Sequence, residues 1–293
     1  MNAADLHPVA ELAPAKINLF LHVTGRRADG YHELDSLIAF ADIGDRISAL
    51  PAPHLSLEIS GPFAAGLAGD DDNLVLRAAR LLADEAGVSA GAAITLEKNL
   101  PVAAGIGGGS ADAAATLRAL DVLWGIGMDT ASLSRIGFAL GADVPVCLFG
   151  GTARVTGIGE LIVPAPDLPA LGVLLVNPGI AVSTPAVFKA RQGPFSMPVT
   201  WPENITDNAA LIEALDATGN DLTAPALATA PGIGAVLEAV GDSEECLLAR
   251  LSGSGATCFG LFNDAAGATA AARALVAHQP SWWVAATRFR VTR

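Results

Sequence analysis

Positive charge is scarce in this chain. Seventeen lysines and arginines stand against thirty aspartates and glutamates, a net charge of -13. That balance excludes nucleic acid or an anionic membrane as the main partner. It leaves room for an anionic nucleotide, provided the donors are local and include backbone amides. Lysine is rarer still: Lys16, Lys98 and Lys189 are the only three, against fourteen arginines. In such a background each lysine is more apt to be kept for its compact ammonium than for surface solvation. The three cysteines, Cys147, Cys246 and Cys258, are scattered and lack CxxC spacing, which excludes a disulfide framework and a zinc site and predicts reduced thiols. The longest apolar runs, such as residues 171–176, are far too short to span a bilayer. Residues 1–8 carry acid rather than base and no apolar stretch, so they are not read as a secretory signal. The expectation is a cytoplasmic enzyme with no membrane and no obligate protein partner.

What is abundant is alanine and glycine, which suits close-packed helices and tight turns. A chain of 293 residues allows two domains. Residues 15–23 alternate: Ile17, Leu19, Leu21 and Val23 point one way, and Lys16, Asn18, Phe20 and His22 the other, predicting a strand with one polar-bearing side. A turn-rich loop, residues 24–32, holds the single tyrosine, Tyr31. Further strands are expected at 34–41, 46–50, 55–60 and 92–100. Asn73 caps a helix that Gly87 ends. A glycine-rich loop then leads into a helix over 110–124, and a second helix at 132–140 ends at Gly141. A strand at 146–149 follows, then a glycine-rich passage over 150–159. Beyond lie strands at 171–176, 246–251, 257–262 and 283–291. Helices are expected from Ser183-Thr-Pro, at 208–217, at 234–240 and at 265–277. Strands and helices mix without regular βα alternation, which predicts an α+β fold in two domains. These are residues 1–158 and 159–293, and the last strand may return to the first.

The segment Pro101-Val102-Ala103-Ala104-Gly105-Ile106-Gly107-Gly108-Gly109-Ser110-Ala111-Asp112 lies between a strand and a helix. Glycines there let backbone N–H groups approach a phosphate, and the helix start adds unpaired amides. Ser110 stands where its hydroxyl could cap the helix, touch a phosphate oxygen or ligate Mg²⁺. A Walker A loop is excluded, because no lysine closes the segment. A dinucleotide fingerprint fits poorly: Ser110 stands where it wants a small apolar residue, and a second helix follows where it wants a strand. A purely structural turn remains the alternative at this point. So do bland readings of Lys16 as a solvated strand residue and of Asp143, in Gly-Ala-Asp-Val-Pro, as a turn former.

Three segments together resemble the three motifs of the GHMP kinases: Pro14-Ala-Lys-Ile-Asn-Leu-Phe-Leu21, residues 101–112, and Leu251-Ser-Gly-Ser-Gly-Ala-Thr-Cys-Phe259. Three more, Gly25-Arg-Arg-Ala-Asp-Gly-Tyr-His32, Leu140-Gly-Ala-Asp-Val-Pro145 and Thr184-Pro-Ala-Val-Phe-Lys189, are similar to one branch of that family. The resemblance implies a two-domain fold, with a left-handed βαβ crossover in the N-terminal domain and a ferredoxin-like C-terminal domain. It implies ATP and Mg²⁺ as cofactors. The acceptor it implies is the tertiary 2-hydroxyl of a methylerythritol that carries a cytidine diphosphate group, on the non-mevalonate route to isoprenoids. It assigns catalysis to Asp143 as base with Lys16 as its partner, and ATP binding to residues 101–111. Substrate binding falls to Asn18, Tyr31, His32, Thr184 and Phe188.

Two departures from the family pattern stand out. Ala103-Ala104 occupies positions where relatives often have more glycine. The helix at 132–140 carries no carboxylate, so Ser110 is the one Mg²⁺ ligand named. The rival readings are a GHMP kinase for mevalonate, homoserine or a sugar, a non-catalytic nucleotide sensor, and an NAD-dependent oxidoreductase.

Overall fold

The structure is a computed structural model and describes residues 7–67, 73–202 and 204–291; the acidic start, residues 1–6, lies outside them. In chain order the elements are β1 (Val9–Arg26), β2 (His32–Ala52), β3 (Ser56–Ser60), α1 (Leu74–Ala86), β4 (Gly91–Glu97), α2 (Gly108–Trp124), α3 (Thr130–Leu140) and α4 (Val144–Phe149). There follow β5 (Ala153–Gly157), β6 (Leu161–Pro164), β7 (Gly172–Asn177), α5 (Thr184–Ala190), α6 (Asn208–Asp216), α7 (Thr223–Thr229) and α8 (Gly232–Gly241). The chain closes with β8 (Leu248–Leu251), β9 (Cys258–Phe262), α9 (Ala265–His278) and β10 (Trp283–Arg288). The class is α+β. Among the described residues no helix is long and apolar enough to cross a membrane.

Two compact units result. One holds the chain up to Ala15, Gly44–Val102 and Gly107–Phe149; the other holds Lys16–Ile43, Ala103–Ile106 and everything from Gly150 onward. The expected division after residue 158 is a single cut and does not coincide with this one. β1 and β2, of 18 and 21 residues, are long enough to give residues to both units.

In the first unit β4 pairs parallel with β3 and antiparallel with β2, from Arg46↔Glu97 to Ala52↔Gly91. Asn73 caps α1 as expected, its side chain accepting from Val75 N at 2.9 Å, and Gly87 closes it in the left-handed region. Such a cap contributes about 1 kcal/mol. Val75, Ala78, Ala79 and Leu82 form the buried stripe of α1, and the small residues 111–115 let α2 be buried along its first half.

Residues 144–149 form a helix where the sequence predicted a strand from 146. Asp143 O accepts from Cys147 N at 3.2 Å, and Pro145 falls in the first turn, where its missing N–H is no loss. A six-residue apolar run carries too little periodicity to separate helix from strand. α2 begins at Gly108, two residues before the expected start, with Gly107 at its N-cap.

In the second unit β5 pairs with β2 and β6 with β5, so the passage over 150–159 contains strand, with Gly150, Gly157 and Gly159 at positive φ serving the turns. The C-terminal sheet is antiparallel in the order β10-β7-β9-β8. α5–α8 separate β7 from β8, and α9 separates β9 from β10, which is the expected ferredoxin-like order. Its core gathers Leu174, Val176, Val236, Phe262 and Leu275. α7 escaped sequence reading: it has seven residues, with Pro225 in its first turn.

Candidate functional site

In the second unit the first strand carries a buried polar row. Residues 13–21 of β1 are buried on both faces, so Lys16 and Asn18 do not face solvent as the alternation alone allowed; they are 4% and 3% exposed. Lys16 Nζ donates to Asn18 Oδ1 at 2.9 Å. That fixes the amide, whose Nδ2 donates to Ser36 Oγ at 2.8 Å, and Ser36 Oγ donates to Phe20 O at 2.6 Å. Lys16 N donates to Ile106 O at 2.9 Å, so the ammonium-bearing residue is hydrogen-bonded directly to the glycine-rich segment.

The same segment is held from its other side. Thr257 N donates to Ala104 O at 3.0 Å, and Ser252 Oγ donates to Gly105 O at 3.2 Å while accepting from Asn18 N at 3.2 Å. Asn220 in turn braces this second glycine segment, donating to Leu251 O and Gly253 O at 2.8 Å each. Ser36, Ser252 and Asn220 were not singled out as site residues. Ser252 lay inside a motif the sequence offered, whereas Ser36 and Asn220 carried no local signal.

The predicted substrate residues of this unit fall as follows. A turn closed by Gly30 N to Arg27 O and Arg27 N to Tyr31 O, at 3.0 and 2.7 Å, sets up Tyr31, which is 62% exposed. His32 stacks on Phe188 with centroids 5.0 Å apart at 23°, joining residues far apart in the chain. Burial pulls the His32 imidazole below its ordinary value, and the Arg26 and Arg191 charges add to that, favouring the neutral ring. Thr184 opens α5, and its Oγ1 lies 2.7 Å from Ser254 Oγ. His22 is held by the backbone: its Nε2 accepts from Gly219 N, which leaves Nδ1 to donate to Met197 O.

The first unit holds the remaining candidates. Gly107, at φ 64 and with no side-chain cap, hands the chain to α2, whose first residues Gly108 and Gly109 leave the helix amides uncovered by side chains. Ser110 is the third helical residue, so it cannot be the cap. Pro101 is buried and Val102 exposed at the segment's entry, and Ala111 is buried past its exit. Asp143 immediately precedes α4 and is half-buried.

Beneath the helix start lies a cluster of which only Asp112 stood in a quoted motif. Lys98 Nζ bonds Asp45 Oδ2 and, at 2.6 Å, Asp112 Oδ2, all three residues being buried. Burial pulls the lysine down, but Asp112 and Asp45 outweigh it and hold the ammonium above its ordinary value. Burial pushes the Asp112 carboxyl up to about 7, with Lys98 opposing and Asp45 reinforcing. Asp112 Oδ1 is buried with no hydrogen-bond partner. Cys147 and Cys258 are buried, and burial pushes the Cys258 thiol up to about 12.

Helix-start amides uncovered by side chains suit an anionic phosphate, and a buried ammonium suits a developing alkoxide. Comparison with known proteins agrees with that chemistry. The model for the GHMP kinases N terminal domain matches residues 73–151, and that for GHMP kinases C terminal matches 203–280. A 4-diphosphocytidyl-2-C-methyl-D-erythritol kinase of Paramagnetospirillum magneticum is 55% identical, over 93% of this chain and 95% of its own. One from Paracoccus denitrificans is 56% identical, over 94% and 95%. A crystal structure of 4-(cytidine 5'-diphospho)-2C-methyl-D-erythritol kinase superposes with a TM-score of 0.79 at 35% identity, covering 97% of this chain and all of that one. A homoserine kinase from Cytophaga hutchinsonii shares the fold at a TM-score of 0.66 and 18% identity. At 55–56% identity to such relatives over nearly the whole chain, this chain belongs to the GHMP kinases and, within them, to the 4-diphosphocytidyl-2-C-methyl-D-erythritol kinases.

Proposed function

We propose that this chain transfers the γ-phosphoryl group of ATP to the 2-hydroxyl of 4-diphosphocytidyl-2-C-methyl-D-erythritol, giving the 2-phosphate and ADP, as a cytoplasmic step of non-mevalonate isoprenoid synthesis. Asp143 is the general base and Lys16 its cationic partner. The observation that carries this reading is the buried row from Lys16 to Asn18, hydrogen-bonded at Ile106 to the glycine-rich segment. A tertiary alcohol is a poor nucleophile and must lose its proton as the new phosphorus–oxygen bond forms. Asp143 takes that proton, and the Lys16 ammonium stabilises oxygen that is becoming anionic. The amides of residues 101–111 grip the triphosphate, so that the remaining catalysis is positioning and charge neutralisation.

Magnesium fits the donors present. Among the described residues no group of three or more His, Cys, Asp or Glu could hold a metal, which disfavours a protein cage. Mg²⁺ carried by phosphate oxygens and water needs few protein ligands, and the Ser110 hydroxyl is the one we assign. When bound, the ion neutralises triphosphate charge.

Phe188, His32 and Tyr31 bind the cytosine end. A neutral imidazole offers one donor and one acceptor, which suits the amide-like edge of cytosine, and the aromatic rings supply the stacking face. Asn18 and Thr184 hold the polar remainder of the substrate. The family models leave residue 158 between them, in keeping with an N-terminal half that binds ATP and a C-terminal half that completes the enzyme.

The test has two arms. Asp143→Asn should lower kcat by ~10²–10⁴ with the KM for ATP nearly unchanged; near-normal turnover removes Asp143 from the role. Phe188→Ala and Tyr31→Ala should raise the KM for the cytidylyl alcohol while sparing that for ATP. If they do not, the acceptor is another alcohol.

A further inference from the structure

Lys98 has no part in the reaction proposed above, yet it is one of three lysines in the chain and is buried as deeply as Lys16. We propose that Lys98, acting through Asp45 and Asp112, is a positioning residue that fixes both ends of the ATP-binding segment to a single ammonium. The inference rests on the reading of residues 101–111 as the ATP site.

The geometry runs through two carboxylates. Asp45, on β2, uses Oδ2 for Lys98 Nζ and Oδ1 for two consecutive amides, Asn99 N at 2.6 Å and Leu100 N at 2.8 Å. Those are the last amides before Pro101, which has none to offer, so Asp45 fixes where the chain enters the segment. Asp112 lies in the second turn of α2 and accepts from the same Nζ at 2.6 Å, fixing where the chain leaves it. The lysine is itself immobilised: its N donates to Ser60 O at 2.8 Å, and its O accepts from Phe63 N at 3.1 Å. Its ammonium is packed directly against the helix start, since a Cβ on Gly108 would lie 3.2 Å from Nζ and 3.7 Å from Asp45 Oδ2.

Charge-assisted bonds among buried groups are stiff and directional, so they hold position rather than merely add affinity. Generic packing would have served stability more cheaply, because burying two carboxylates around one ammonium costs desolvation energy. What an apolar core cannot do is tie three distant stretches, 45, 98–100 and 112, to one point. An amide cradle displaced by a fraction of an ångström loses its fit to the triphosphate, whereas the acceptor alcohol does not touch it.

The experiment compares both KM values for Asp112→Ala, Asp112→Asn and the reference variant Gly107→Ala. Asp112→Ala leaves Lys98 paired with Asp45 and removes only the exit anchor. Its KM for ATP should rise roughly tenfold, the equivalent of one lost charge-assisted hydrogen bond. Its KM for the alcohol should stay within about twofold, because no alcohol contact is removed. Asp112→Asn keeps an acceptor for Lys98 and should recover most of the loss. An equal rise in both KM values, a lowered melting temperature with KM for ATP untouched, or an Asn variant no better than Ala would each overturn the clamp. Should Asp112→Ala not fold, Asp45→Asn carries the same expectation: it keeps an acceptor for Asn99 and Leu100 but cuts the link to Nζ. If Gly107→Ala raises the KM for ATP and the clamp variants do not, the clamp alone fails. If none of them moves it, the ATP-site reading fails as well.

Discussion

The two glycine-rich segments of this chain look alike in sequence and use their glycines differently. In the first, Gly107 sits at φ 64 as the N-cap of α2 and Gly108 makes room for the Lys98 ammonium, so those glycines shape the start of a helix. In the second, Gly253 and Gly255 shape no helix. A Cβ on Gly253 would lie 2.9 Å from Gly105 O and 3.3 Å from Asn18 Oδ1, and one on Gly255 3.0 Å from a Leu251 methyl. Gly105 belongs with this second set, since its Cβ would lie 2.6 Å from the carbonyl oxygens of Ser252 and Gly255 and 2.7 Å from Gly255 N. Within the second unit, then, the middle of the first glycine segment is pressed backbone to backbone against the 252–255 turn. A glycine count cannot distinguish room left for a ligand from room taken by another strand of the same chain.

That distinction ranks the substitutions. Gly105→Ala should be the most damaging, because all three close atoms are backbone that cannot rotate away and φ 75 is itself costly for alanine. We expect a loss of about 2–5 kcal/mol of unfolding free energy, together with a steep fall in ATP turnover. Denaturant unfolding of an otherwise intact protein within 1 kcal/mol of the parent, by the order of a single surface change, would dissolve the proposed contact. Gly253→Ala meets one backbone oxygen and one side-chain oxygen at looser distances, and should cost about 1–3 kcal/mol. If Gly253→Ala proved the worse of the two, the order of packing drawn here would be reversed.

Ser252→Ala probes the same junction without adding bulk. It strands Gly105 O and Asn18 N, both bonded to one hydroxyl, and should cost about 1–2 kcal/mol. Because Asn18 carries the Lys16 ammonium, kcat should fall along with stability; Ser252→Thr, which restores the hydroxyl, should return both. A variant that loses stability but keeps kcat would show that the junction only braces the fold.

Some of this was legible in the chain and some was not. Asn73 and Gly87 announced α1 because caps are local chemistry, whereas the order of the C-terminal sheet came from the family resemblance and not from the pattern of the strands themselves. Lys16 and Asn18 were readable as partners because a strand brings i and i+2 to one side. The strand predicted at 146–149 failed because Pro145 and the Asp143 carbonyl start a helix turn that apolar pattern alone cannot reveal. Lys98 shows the limit most clearly. Its rarity drew notice, but Asp45 lies 53 residues away and Asp112 14 residues away, and only tertiary packing brings them together. Ser36 is similar, an ordinary strand serine until Asn18 is set against it.

The smallest effect tests the departure at 103. Ala103 holds φ 52, one of two non-glycine residues at positive φ among those described, and its side chain is exposed. Alanine there bears about 1–2 kcal/mol of steric cost that glycine would not. Glycine would add about 0.5–1 kcal/mol of lost backbone entropy on folding. The two nearly cancel, so Ala103→Gly should stabilise the protein by roughly 0–1 kcal/mol. Ala103 O accepts from Val182 N at a long 3.5 Å, so little tertiary bonding opposes the change. The kinetic consequence should also be small: a KM for ATP within about twofold, since amide donors are unaltered by the loss of a methyl. A clear loss of stability would mean that the methyl packs against something the second glycine segment supplies, and the contrast between the two segments would have to include residue 103 on the crowded side.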